Sequence, residues 1–325
     1  MRAKKVLNST ISFTPNTYAG QAAGAFMLAS ITGADMINNG LMYMQETRSN
    51  KYVLPTWQHD YTQFIQNPKA DPTPGNGKPL GGERYLNLGE YLIYAEVNPN
   101  EFADHWFAKD MPELLIDRGL PPQANSVVIY EVMRQHAKYL NLLINNGNSA
   151  GTTYTNVNGE DIGAYIDGLV TKCSADSGVL KVTSPITLTN VNIAGEFDRG
   201  FQKLPASIKY NPDVVIICSY LTYDLYTEYQ RNQTYKGIDV TKEGEKKFRG
   251  KYLVPVADFP DNTYIYIKAL TTRESNLWLG LNSKSDENNI KFAMKNASSD
   301  LWFVKGKMKI DTNYVFPFEI VYYGA

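Results

Sequence analysis

One run of residues has a spacing with a known chemical use: Gly147-Asn148-Ser149-Ala150-Gly151. In G-x-S-x-G, a sharp strand-to-helix turn exposes a nucleophilic serine, and a histidine further along the chain serves as its base. Here a helical apolar pattern precedes the motif and a Thr/Asn-rich stretch follows it. All three histidines, His59, His105 and His136, precede Ser149. The run reads more simply as a linker; a serine hydrolase using Ser149 is the enzyme alternative. Gly75-Asn76-Gly77 with Gly81 echoes a dinucleotide loop, but Pro79 stands where its helix should begin. Three scattered His and two Cys make no metal-ligand set. Cys173 and Cys218 read as small buried hydrophobes. Asp286-Glu287 and the mixed-charge run 242–249 read as solvated turns. No catalytic residue, no cofactor-binding residue and no metal ligand is therefore expected.

The composition bounds the rest. The chain has 325 residues, with 32 Lys+Arg against 33 Asp+Glu for a net charge of −1. That balance argues against a dedicated nucleic-acid binder, which carries a basic surplus. The longest strongly apolar run, Val214-Val215-Ile216-Ile217-Cys218, suits a buried strand and is far too short to cross a bilayer. No apolar leader follows the basic start, so no secretory signal is expected. The 23 tyrosines are many. They fit a tyrosine-rich β protein and extensive subunit contact equally well.

The elements around these residues follow from pattern. Residues 1–17 read as an extended arm, and 18–31 as a helix rich in small side chains. Residues 42–60 are strand-like. Residues 67–82 hold four Pro and four Gly, which no regular element accepts. With strand-like flanks at 51–65 and 84–97, they read as the tip of a long β-hairpin finger. A short helix is expected over 98–109. The clearest helix spans 122–146, with Val128, Val132, Ala137, Leu140, Leu143 and Ile144 on one stripe. After a polar linker at 147–158 the grammar turns to α/β alternation: helices at 160–174, 188–202 and 219–230, and strands at 179–183, 214–218, 250–255, 263–271, 277–281 and 291–294. Two final strands, 301–308 and 315–322, are expected on either side of a turn at Asp311-Thr312-Asn313.

Arms and fingers bury little of themselves and gain stability by lying on neighbours. This order of parts resembles the major capsid proteins of tailed bacteriophages, with the Hong Kong 97-like fold. The resemblance rests on Tyr18-Ala19-Gly20-Gln21-Ala22-Ala23-Gly24 followed by Asn38-Asn39-Gly40-Leu41, on the Pro/Gly-rich finger, and on Glu101-Phe102 with His105-Trp106. It rests further on the long helix ending in Asn145-Asn146-Gly147, on Asn276-Leu277-Trp278-Leu279-Gly280-Leu281, and on the closing run Val315–Tyr323.

The resemblance implies an α+β fold in five parts: an N-terminal arm at 1–40, an extended loop with its strands at 41–97, a peripheral domain at 98–149 around a spine helix at 122–146, an inserted axial α/β domain at 150–300, and a return to the peripheral domain at 301–325. It implies a non-enzymatic shell protein in the virion capsid, assembled in the bacterial host cytoplasm. Its partners would be itself, as homo-pentamers and homo-hexamers, a separate scaffolding protein, a portal, and packaged DNA in weak non-specific contact; no membrane partner is implied. Tyr18, Phe26, Lys69, Lys78, Arg84 and Tyr323 are the expected assembly contacts. A structural or binding module outside capsids is the other alternative.

Overall fold

A computed structural model of the chain describes residues 16–18, 31–56, 83–97, 123–151, 165–233, 247–282, 290–296 and 301–324. The first of two six-stranded sheets is organised by β13 (Trp302–Tyr314). Along one side, β13 pairs antiparallel with β5 (Gly89–Val97) over the register from Trp302↔Val97 to Ile310↔Gly89. Along the other side it pairs with β12 (Ile290–Met294) and then β11 (Leu277–Leu281). The sheet is completed by β1 (Asn16–Tyr18) on β12 and by β2 (Tyr43–Glu46), parallel to β11.

The second sheet has the order β6 (Leu180–Lys181), β14 (Val321–Gly324), β10 (Thr263–Lys268), β7 (Val214–Cys218), β9 (Lys251–Pro255), β8 (Lys247–Phe248). Its central strand β7 is buried at every position, as expected of an apolar run covered on both faces. Val215 and Ile217 join Ile265 and Ile267 in the main core. Val214, Ile216 and Cys218 face the opposite way. They pack in a second core with helix α4 (Ile193–Lys203) and helix α6 (Tyr220–Asn232). Ser219 caps α6, its hydroxyl accepting from the Thr222 amide at 3.1 Å.

The tyrosines divide between inside and outside. On β10, Tyr264 and Tyr266 are fully buried and donate to the α4 backbone carbonyls of Glu196 (2.5 Å) and Phe197 (2.9 Å). Gly200 makes room for them, since a Cβ there would lie 2.8 Å from the Tyr264 hydroxyl. Tyr94, Tyr139, Tyr165, Tyr210 and Tyr220 remain exposed. The buried pair fits the reading of a tyrosine-rich β protein; subunit contact stays an expectation for the exposed ones.

Helix α2 (Gln123–Asn146) runs through the main core, with Ile129, Met133, Leu140, Leu143 and Ile144 buried among residues of both sheets. Its last turns carry three buried asparagines. Asn141 Nδ2 and Asn145 Nδ2 donate to the Ala257 carbonyl at 2.5 and 3.2 Å, and Asn146 Nδ2 donates to that of Asp258. The Ala257 amide in turn donates to Asp35 at 3.0 Å, on the short helix α1 (Asp35–Asn38). These bonds tie the loop after β9 to the end of α2.

On the same helix, His136 is buried and its Nε2 lies 2.9 Å from the Tyr91 hydroxyl of β5, which also donates to Met308 Sδ of β13 at 2.9 Å. Burial pushes the His136 pKa down to about 4. The unfolded chain therefore takes up this proton as pH falls below about 6.5, while the folded chain refuses it until about 4. Stability should fall by roughly 1.4 kcal/mol per pH unit across that window, about 3 kcal/mol in all. Urea melts at pH 7 and pH 4.5 check this. The wild type should lose more than His136→Phe, and equal losses would show that the ring is not the cause.

Several sequence expectations need correction. Tyr18 lies in strand β1 rather than opening a helix; residues 19–30 fall outside the described ones. The helix expected at 160–174 is α3 (Leu169–Ala175). No turn divides the last strands at Asp311-Thr312-Asn313: all three lie inside β13, where the Asp311 and Asn313 side chains find partners described below. The sheets also cut across the expected boundary at 300. Both β11 and β12 belong to the first sheet, where Leu277, Leu279, Ile290 and Phe292 enter the main core. Within the expected C-terminal return, β13 joins the first sheet but β14 joins the second, where Val321 and Tyr323 pack in the α4 core. A 3-10 turn, Pro317–Glu319, carries the chain across.

Candidate assembly site at the base of the finger

The strands that flank the finger leave the first sheet together. β2 gives way to β3 (Lys51–Val53) across residues 47–50, and β4 (Tyr85–Asn87) gives way to β5 at Leu88, whose amide donates to Asn50 O at 2.9 Å. β3 and β4 pair antiparallel as a separate ribbon. The finger tip, with Lys69 and Lys78, lies outside the described residues.

An apolar seat holds the ribbon against the sheet. Leu54 and Leu86 pack on Trp278 and Val315, and Tyr43 and Tyr52 lie against the Trp278 ring at 4.5 and 6.3 Å. Gly280 permits this approach: a Cβ there would stand 3.1 Å from Leu86 Cδ1 and 3.2 Å from Leu86 Cβ. Gly280→Val should therefore cost about 1–3 kcal/mol by overpacking. Denaturant melts check this, with Gly280→Ala costing less. The Asn276 side chain accepts from the Val315 and Phe316 amides at 3.0 and 2.7 Å and donates to Phe316 O at 2.8 Å. Asn276 and Gly280 of the sequence motif thus fix the end of β13 and the place of the ribbon.

A polar seat lies beside it. Arg84 pairs with Asp176 at the end of α3 at 2.5 Å, its guanidinium 4.8 Å from the Tyr314 ring centre. The Tyr314 hydroxyl donates to the same carboxylate at 2.8 Å. Burial works against the charge on Asp176, but Arg84, the Gly178 amide and Tyr314 together hold its pKa below the ordinary value. Lys172 pairs with Asp311 at 2.7 Å, and the other Asp311 oxygen accepts from the Asn87 amide at 2.8 Å. Burial raises the Asp311 pKa, and Lys172 only partly offsets it. Asn313 Nδ2 donates to the Tyr85 carbonyl at 2.7 Å. A cleft of about 360 Å³ opens between Arg84, Asp167, Lys172, Asp176 and Tyr314. Arg84 is matched by Asp176 and Lys172 by Asp311, so these two pairs mount the ribbon.

The expected contact residues fare unevenly. Arg84 lies at this mount, engaged within its own chain. Tyr18 sits in β1 opposite Ile290. Phe26 is outside the described residues. Tyr323 is a correction: it is fully buried, stacked 4.6 Å from Tyr264 with its hydroxyl donating to Ile186 O at 2.7 Å, so its ring cannot reach another molecule. Ser149 lies just beyond helix α2 rather than on a strand-to-helix turn. Its hydroxyl and its amide both donate to Asp167 at 2.8 Å; His59 and His105 lie outside the described residues. Lys172, Asp176, Asp311 and Tyr314 were not foreseen; their partners lie ninety or more residues away in the chain. Among the described residues no cluster of His, Cys, Asp or Glu could hold a metal ion, and no helix is long and apolar enough to cross a membrane.

Two mixed sheets around a long central helix, with a hairpin ribbon mounted on one of them, make the fold of phage capsid proteins. A chain of the satellite phage P4 procapsid, which includes the size determination (Sid) protein, matches at TM-score 0.61 and 12% identity over 91% of this chain and 97% of that one. A capsid chain of the native GTA particle matches at 0.56 and 10% identity over 89% of each. A chain of the cyanophage A-1(L) capsid matches at 0.55 and 12% identity over 98% of this chain and 96% of that one. No protein-family model and no curated protein matches the sequence.

Proposed function

We propose that this chain is the major capsid protein of a tailed bacteriophage or prophage, with the Hong Kong 97-like arrangement, and that it assembles into an icosahedral shell around double-stranded DNA. The observation that carries this reading is the extent of the structural match. It spans nearly all of this chain and nearly all of the matched procapsid and capsid chains. In this reading the work is mechanical. The arm at 1–40 and the finger lap onto adjacent subunits in pentamers and hexamers, and α2 serves as the spine. Assembly takes place in the bacterial cytoplasm with a separate scaffolding protein and a portal. A net charge of −1 suits a wall that encloses DNA without gripping it.

Electron microscopy of the purified protein, with and without a co-expressed scaffolding protein, tests the reading. Closed shells or capsomer rings are expected. A monodisperse monomer under every assembly condition would overturn it.

A further inference from the structure

The face of the first sheet turned away from the core carries an uncommon set of side chains. Because side chains alternate along a strand, Phe303, Lys305, Lys307 and Lys309 of β13 all point outward, between Val304, Met308 and Ile310, which enter the core. The register aligns Lys305 with Tyr94 of β5 and Lys291 of β12, and Lys307 with Leu92. Lys295 extends the same row past the end of β12. Glu90 pairs with Lys307 at 2.8 Å, and Glu96 with Lys295 at 2.5 Å. The four exposed lysines, Lys291, Lys295, Lys305 and Lys307, against two glutamates leave this face at about +2 in a chain whose total is −1, while the Lys309 side chain is 14% exposed and held by Glu90 and Asn50. Leu92 and Tyr94, among these charges, are 51% and 48% exposed. The outer edge of β5 pairs with no strand among the described residues.

Basic charge alone would fit a polyanion. Half-exposed Leu92 and Tyr94 add an apolar demand that nucleic-acid phosphates do not meet, and an acidic polypeptide carrying aromatic side chains meets both. The chain itself contains one. Between residues 101 and 118, Glu101, Asp104, Asp110, Glu113 and Asp117 outnumber two basic residues, and Phe102, Trp106 and Phe107 are interleaved with them. The net charge of this segment is −3, opposite in sign to that of the face.

We propose that the lysine-bearing face of β5, β13 and β12 docks the acidic, aromatic segment 101–118 of a neighbouring copy. This rests on the shell reading above. The contact is heterologous: segment of one copy, face of the next, as a ring requires.

The test uses particles assembled from an equal mixture of light and isotope-labelled protein, treated with a carbodiimide that joins lysine to carboxylate. Mixed-label cross-links from Lys291, Lys305 or Lys307 to Glu101, Asp104 or Asp110 are expected. K305E/K307E, on exposed positions, should keep its circular dichroism and lower the assembled fraction at least tenfold; adding D104K/D110K should restore it. Particles whose lysines link to nothing in 101–118, or link there only within one label, overturn the docking and leave the shell reading standing. So does a fourfold variant that is not restored. Protection of these lysines only on addition of heparin assigns the face to a polyanion and likewise overturns it. Failure of the wild type to assemble at all brings down both.

Discussion

A chain lacking residues 68–82 should fold normally and fail to assemble. The cut lies beyond the ribbon, where Lys51↔Asn87, Tyr52↔Leu86 and Val53↔Tyr85 are already paired and the Leu54 amide donates to Arg84 O at 2.8 Å. The apolar seat of Leu54, Leu86, Trp278 and Val315 and the Arg84–Asp176 pair stay whole. A shorter closing loop costs no more to close, so stability should stay within about 1 kcal/mol of the parent. Assembly should respond very differently. Each contact in a shell is modest and is repeated at every subunit, so deleting one from all copies removes an effect that multivalency compounds. Matching denaturant melts with no particles in micrographs is the expected pair of results; shells from the deleted chain would deny the finger its role.

Asp311→Ala should be the most damaging single substitution at the mount. Asp311 is 4% exposed and serves two partners, the Lys172 ammonium and the Asn87 amide. Removing it leaves a largely buried cation and a backbone donor without their acceptor. Breaking a buried pair from one side typically costs 3–5 kcal/mol. Lys172 also donates to the Thr312 carbonyl, which places the expected loss at the lower end, about 3 kcal/mol in urea melts. Burial already holds the Asp311 pKa high, so the pair itself is poorly solvated and contributes little net stability. A double variant, Lys172→Met with Asp311→Leu, should therefore recover much of the loss. A double variant as unstable as Asp311→Ala would show that the Asn87 amide, not the stranded charge, sets the cost.

The sequence is most readable where local pattern and tertiary burial agree. Val214–Cys218 is apolar on both faces and becomes a strand covered on both faces. The 122–146 stripe becomes α2 within one residue at its start. The reading fails where a distant partner reverses a local preference. Asp311, Thr312 and Asn313 are turn formers by composition, yet Lys172, Asn87 and Tyr85 satisfy two of their side chains, and β13 runs on through them. The same distance hides the mount: nothing near Arg84 in the sequence announces Asp176. Tyr323 shows the converse error. A tyrosine near a terminus suggests a surface contact, and only the pairing of β14 with β10 reveals that it faces inward. Asn276 and Gly280 were recognisable as a motif, but their purpose becomes visible only with Leu86 seated over the glycine.

The nine-residue register between β5 and β13 also decides how a pull on the finger is borne. β5 is the strand through which the finger returns to the body, and it lies alongside β13 rather than across its end. Tension directed along β5 must slide the whole ladder at once, because every rung is loaded in parallel. Tension directed sideways would peel the rungs one at a time and would need far less force. Internal pressure on a closed wall stretches it within its own plane. In the shell reading proposed above, a ribbon rooted lengthwise along β13 would meet that strain in its strong direction.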